Sequence, residues 1–163
     1  MMRRRKNLRG LMGKLKAEEK FLSLSALIVM VSCFFPWYGI TSRIVDQWWS
    51  GFSNIGYIVG YMVFVMAGVS LYSLYAPHAQ WSVPKLLRSK LVHVVLFAQS
   101  AILLAVLNLI YLRYTVFDAP GSSVRFGLYA ALFAAVVGSI SGYVLWRNFV
   151  VDMKRKGLQE DFI

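Results

Sequence analysis

Few residues in this sequence have the reach for catalysis or ligation. Two histidines (His78 and His93), one cysteine (Cys33) and seven carboxylates are spread over 163 residues. A haem held by His78 and His93 would need the two rings to face each other across a bundle, whereas here they flank one short segment. A lone cysteine allows neither an intramolecular disulfide nor a two-cysteine redox relay. Asp46 and Asp118 lie a whole hairpin apart, without metal-ligand spacing. HExxH, GxSxG and Gly-rich phosphate-loop patterns are absent. No acid falls inside a long apolar stretch, and proton-coupled pumps and exporters generally depend on one. The expectation is a protein that is not an enzyme and holds no cofactor or metal.

The remaining candidates are polar or small residues within apolar surroundings. His93, Gln99 and Asn108 share one apolar stretch. At 100° per residue, His93, Ser100 and Asn108 fall on one face, while Gln99 points elsewhere. His93 is close enough to Lys90 to be hydrated. An amide at Gln99 seeks a hydrogen bond to another helix, worth about 1 kcal/mol or less. Such groups act as packing glue or line a permeation path. Gly56 and Gly60 form a GxxxG pair, with Gly68 further along the same face. Ala130, Ala134, Gly138 and Gly142 follow at four-residue steps, beside a second row of Gly127, Ala131, Ala135 and Ser139. Small residues at this spacing let helix backbones approach closely, inside a bundle or between chains.

The elements that hold these residues follow from where charge is missing. Hydrophobic residues make up 58% and charged residues 15%, against roughly 45–50% and 25% in soluble domains. Stretches 21–42, 91–112 and 126–146 contain no Asp, Glu, Lys or Arg. At 1.5 Å per residue each reaches about 32 Å, the thickness of a hydrocarbon core. The charge-free run 47–84 begins with a polar QWWSGFSN segment, so a single span over about 55–76 is predicted. The expected fold is all-α and integral to the membrane, with spans at about 21–41, 55–76, 91–112 and 126–146. These make a transmembrane domain over 21–148, between a basic segment (1–20) and a tail (149–163). All five Trp and most Tyr lie near predicted ends, as in two interfacial belts. Ile44, Trp48, Phe52 and Ile55 recur at helical spacing and predict a short interfacial helix between the first two spans.

Fifteen of the 18 Lys and Arg fall in the segments before the first span, between the second and third, and after the fourth. The positive-inside rule then places both termini in the cytoplasm, in a bacterial-type inner or plasma membrane. Arg3, Arg4, Arg5, Lys6, Arg9, Lys14 and Lys16 accompany an apolar stripe of Leu8, Leu11, Met12 and Leu15. That is the pattern of a basic helix lying on the anionic inner leaflet, although the same cations also serve to fix topology. No aromatic residue interleaves the cluster, and nucleic acid is not an expected partner. Val29-Met30-Val31-Ser32-Cys33 has the form of a loose lipobox. The charged region before Phe21 is too long for such a signal, so an uncleaved signal-anchor helix is expected. The functional expectation is a membrane subunit or scaffold that associates with itself or with another membrane protein. The alternative is a small oligomeric transporter or channel with the third span lining the path.

Overall fold

A computed structural model describes residues 15–41, 46–53, 56–79, 81–82, 84, 87, 89–117 and 121–155. Leu8, Leu11 and Met12 of the N-terminal stripe, with Arg3, Arg4, Arg5, Lys6, Arg9 and Lys14, lie outside these residues. Lys16 is described and exposed. The chain is mostly helical: α1 (Ala17–Ser32), α2 (Tyr57–Ala79), α3 (Leu91–Phe117) and α4 (Phe126–Arg155). Three short strands, β1 (Pro36–Thr41), β2 (Asp46–Ser50) and β3 (Ser122–Val124), form an antiparallel sheet in the order β2-β1-β3.

The sheet corrects the all-α expectation, and its cause is local. Helix α1 begins where the Glu19 carboxylate accepts the Lys16 backbone N–H at 3.1 Å, with Glu18 and Glu19 in the positive first turn. It ends in a tightened turn, Phe34 N–H to Val31 C=O and Phe35 N–H to Ser32 C=O. Pro36 follows and disfavours helical geometry at Phe35. Residues 36–41, predicted as the end of a span, are therefore a strand, rich in the aromatic and β-branched side chains that suit one. The helix predicted around Trp48 is likewise overturned, because residues 46–50 pair with β1, Gly39 opposite Trp48 and Ile40 opposite Gln47.

Helix α4 packs most extensively, along α1 on one side and α3 on the other, while α2 closes the bundle between α1 and α3. The distribution of side chains is the reverse of that in a water-soluble bundle. Phe126, Phe133 and Leu109 are 75%, 72% and 66% exposed, and Phe21, Leu24, Ile58, Val65, Ile102 and Ile140 also face outward. Ser23, Ser70, Ser73, His93 and Ser100 are buried among apolar residues. Helices α2, α3 and α4 are long and apolar enough to cross a membrane. At 16 residues α1 is shorter, about 24 Å.

Sheet and bundle meet at Trp37, which is fully buried rather than part of an interfacial belt. Its indole Nε1–H donates to Ser32 C=O at 2.8 Å. A Cβ on Gly51 would lie 2.7 Å from the indole, and one on Gly127 2.8 Å from it. A Cβ on Gly60 would collide with the Gly51 carbonyl, whereas one on Gly68 would meet nothing within 4 Å. Gly60→Ala should therefore lower stability by about 1–3 kcal/mol through backbone overpacking. Gly68→Ala should be neutral or stabilise by up to about 1 kcal/mol through helix propensity. Thermal aggregation of the two variants in one detergent measures the contrast, and equal behaviour would contradict the α2–Gly51 contact.

Candidate functional site

The polar side chains expected to carry function are distributed over both ends of the bundle. At the end opposite the sheet, His93 sits in the first turn of α3, which starts where the Ser89 hydroxyl accepts the Leu91 N–H at 3.3 Å. Its Nδ1 lies 2.8 Å from Ser70 Oγ on α2, and both residues are 1% exposed. The ring is thus held dry and paired, not hydrated as its nearness to Lys90 suggested. Ser23 on α1 lies 2.8 Å from the Tyr75 hydroxyl on α2. Lys90 pairs with Glu19 at 3.4 Å, and Asn148 Nδ2–H donates to Glu18 at 3.0 Å. These contacts tie α1 to α2, to α4 and to the start of α3, and α2 to α3.

On the inward face of α3, Ser100 donates to the Leu96 carbonyl at 2.8 Å and also approaches Met66 Sδ. Asn108 is half-buried, and its Oδ1 is enclosed without a partner. Gln99 is not brought to these groups. It lies exposed on the outer side of α3.

The small residues of α4 face the chain's own helices. Ala134, Gly138 and Gly142 are buried, and Ala130 is half-buried beside an apolar groove of about 250 Å³ between α1 and α4. A Cβ on Gly138 would run into the ring of Phe97, and one on Gly142 would lie 3.2–3.4 Å from the backbone of His93 and Val94. Within the second row Gly127, Ala131 and Ala135 are buried too. In α2, a Cβ on Gly56 would sit 2.5 Å from the Tyr111 hydroxyl.

At the sheet end, Tyr38 stacks on Tyr111 of α3 (4.6 Å between centroids, 15° between planes) and on Trp49 of β2 (6.0 Å, 24°). Tyr38 and Tyr111 are buried, 6% and 1% exposed, although their positions near helix ends suggested interfacial belts. Arg125 reaches the Thr41 hydroxyl with one guanidinium nitrogen while its buried Nε has no partner. This aromatic stack was hidden in the sequence because it joins residues from three separate segments. The only available signal was the density of Trp and Tyr in 37–49.

Cys33 is buried, its thiol 3.3 Å from the Val29 carbonyl. Among the described residues no three His, Cys, Asp or Glu side chains gather as a metal site. What this arrangement does chemically is hold helices together. Polar groups cross-link the bundle at one end, glycines bring backbones together along its length, and stacked rings fasten the sheet at the other end. The fold and these contacts define a class, a helical bundle with three helices long and apolar enough to cross a membrane and a small sheet at one end. Compared with protein-family models, curated proteins and solved structures, the chain matches none.

Two expected outcomes follow from these contacts. Gly138→Leu should destabilise the bundle strongly, because the Phe97 ring it meets is itself 2% exposed and has no space to retreat. Val137→Leu, half-buried one position away, should be mild; melting of both variants in detergent reads the difference. Ser70→Ala should cost about 1–3 kcal/mol by leaving the buried His93 Nδ1 unpaired. Adding His93→Leu to Ser70→Ala should restore part of that loss. A double variant less stable than the single one would show that the imidazole contributes by packing instead.

Proposed function

We propose that the chain is a four-span membrane protein with both termini in the cytoplasm, acting as a non-enzymatic subunit or scaffold. The inverted distribution of side chains carries this reading. Helix α1 packs along α4 and turns Phe21, Leu24, Leu27, Ile28 and Val31 outward, a surface that suits hydrocarbon and not water. Its short length is offset by the turn and strand that follow, whose Phe34 and Phe35 are also exposed. Orientation draws on the cations. Lys16, Lys20, Lys90, Arg147, Lys154 and Arg155 lie at the end away from the sheet, which the positive-inside rule makes cytoplasmic. The non-enzymatic role draws on how the interior polar groups are used, with His93, Ser70, Ser23 and Tyr75 engaged with one another.

The alternative is an oligomeric transporter or channel lined by the third span, and it draws on the unpartnered Oδ1 of Asn108. Against a path through one chain, Phe97, Leu104 and Leu107 fill the interior along the same side of α3. Reporter fusions test the topology. Those within 85–90 and after Gly157 should read cytoplasmic, and those near Asn54 and Gly121 should read external. A cytoplasmic signal at Gly121 would defeat the four-span reading.

A further inference from the structure

Helix α3 has two opposite faces with different surroundings. Its inward face carries Phe97, Leu104, Leu107 and Tyr111, none more than 2% exposed. Its outward face carries Val95, Gln99, Ile102, Val106 and Leu109, all exposed. The spacing of these five is four, three, four and three residues, a heptad seam confined to an arc of about 80° at 100° per residue. Along the helix it covers about 21 Å.

Within that seam Gln99 is out of place for a lipid-facing position. Its carboxamide is exposed, and no hydrogen bond within the chain engages it. Among the described residues of 21–41, 56–76, 91–112 and 126–146, no other carboxamide and no Asp, Glu, Lys or Arg is exposed. Hydrocarbon offers an amide no partner, so an unpaired glutamine at this depth is costly. The small-residue rows that could have served as a contact between chains are already used, with Gly138 against Phe97 and Gly142 against the His93–Val94 backbone.

We propose that this face of α3 is a homodimer seam in which Gln99 of one copy pairs with Gln99 of a second. The inference rests on the reading of the chain as a membrane-embedded subunit. The occupant follows from the chemistry of the amide, which carries both a donor and an acceptor. Across a two-fold axis along the membrane normal, Nε2–H of each copy donates to Oε1 of the other, and both groups are satisfied without a further partner. Val95, Ile102 and Val106 are β-branched, with restricted rotamers that lose little freedom on packing across the seam. Arg113 falls next in the same register and is exposed. It ends the seam, since two guanidiniums at the axis repel unless each turns toward lipid phosphate.

The test uses the full chain in its native membrane, with Cys33→Ala removing the natural thiol. Single cysteines at Val95, Gln99, Ile102 and Val106 should form disulfide-linked dimers on mild oxidation. A cysteine at Phe133, equally exposed but on α4, should not. In detergent, the otherwise unmodified chain with Gln99→Leu should dimerise roughly tenfold more weakly, the loss of both symmetry-related intramembrane hydrogen bonds. Gln99→Asn, which retains the amide, should recover part of it. Because Gln99 is exposed and makes no hydrogen bond within its own chain, neither variant should shift the melting of the monomer. Cross-linking as strong at Phe133 as in the heptad, or dimerisation unaffected by Gln99→Leu, overturns the proposal. So does a Gln99 side chain found to contact a different membrane protein, although that result leaves the subunit reading standing. Failure of the subunit reading has a separate signature, the cytoplasmic reporter signal at Gly121.

Discussion

The architecture depends on one buried indole. Trp37 is the bulkiest side chain fully withdrawn from the surface, and every element at the sheet end meets it or its immediate neighbours. Its ring donates to the last carbonyl of α1, its own carbonyl accepts the Arg125 N–H just before α4, and Gly51 and Gly127 lie against its two edges. Gly51 N–H in turn donates to Cys33 C=O at 3.0 Å, and the Gly51 carbonyl occupies the space where Gly60 of α2 lacks a side chain. A large ring can be seated in so crowded a place only if the surrounding backbones carry no Cβ. Gly51 and Gly127 are therefore tied to one tryptophan and Gly60 to the backbone of Gly51, so that α1, α2 and α4 are all held against this one corner of the sheet.

The two ends of the bundle are secured by different physics. Near Trp37 the contacts are aromatic stacking and close backbone approach, which depend on shape. At the opposite end they are hydrogen bonds and one ion pair among Glu18, Glu19, Ser23, Ser70, Tyr75, Lys90, His93 and Asn148. Polar contacts suit that end, which carries most of the charged side chains among the described residues, Lys16, Glu18, Glu19, Lys20, Lys90, Arg147, Asp152, Lys154 and Arg155. Between the ends, lipid supplies no hydrophobic drive for helices to associate, and dispersion at short range must take its place. The alanines and glycines of α4 meet that need and place α4 centrally, between α1 and α3.

Hydropathy made the three long helices legible. The predicted spans begin within two residues of the starts of α2, α3 and α4, because burying backbone in hydrocarbon compels intrasegment hydrogen bonding. The helices run on past the predicted ends, as α4 does to Arg155, because helical hydrogen bonding does not stop where apolarity stops. The sheet was not legible. Residues 36–41 read as the apolar end of a span and Trp48 as part of a helix-spaced stripe, and the pairing that overrides both brings β3 from some 80 residues away to β1, which no local periodicity records. Trp37 illustrates the same limit, since composition near a helix end suits a belt residue and a buried anchor equally. In the candidate site, periodicity places His93, Ser100 and Asn108 on one face, where the first two are buried and the third half-buried, and sets apart Gln99, which is exposed. It could not tell which of the two faces was inward, because hydrophobic residues surround α3 on all sides.

That ambiguity bears on how a membrane bundle separates internal packing from recognition. In water an exposed apolar stripe marks an interface, but in lipid every outward face is apolar and the stripe carries no information. Specificity must come from a group that lipid cannot satisfy. Small residues serve poorly for this purpose once they are used internally, as they are at Gly138 and Gly142. A single amide in a β-branched seam serves well, because it penalises lipid exposure and rewards one register. On this reasoning α3 is the helix with two assignments, sealing the core through Phe97 and Tyr111 and presenting Gln99 outward.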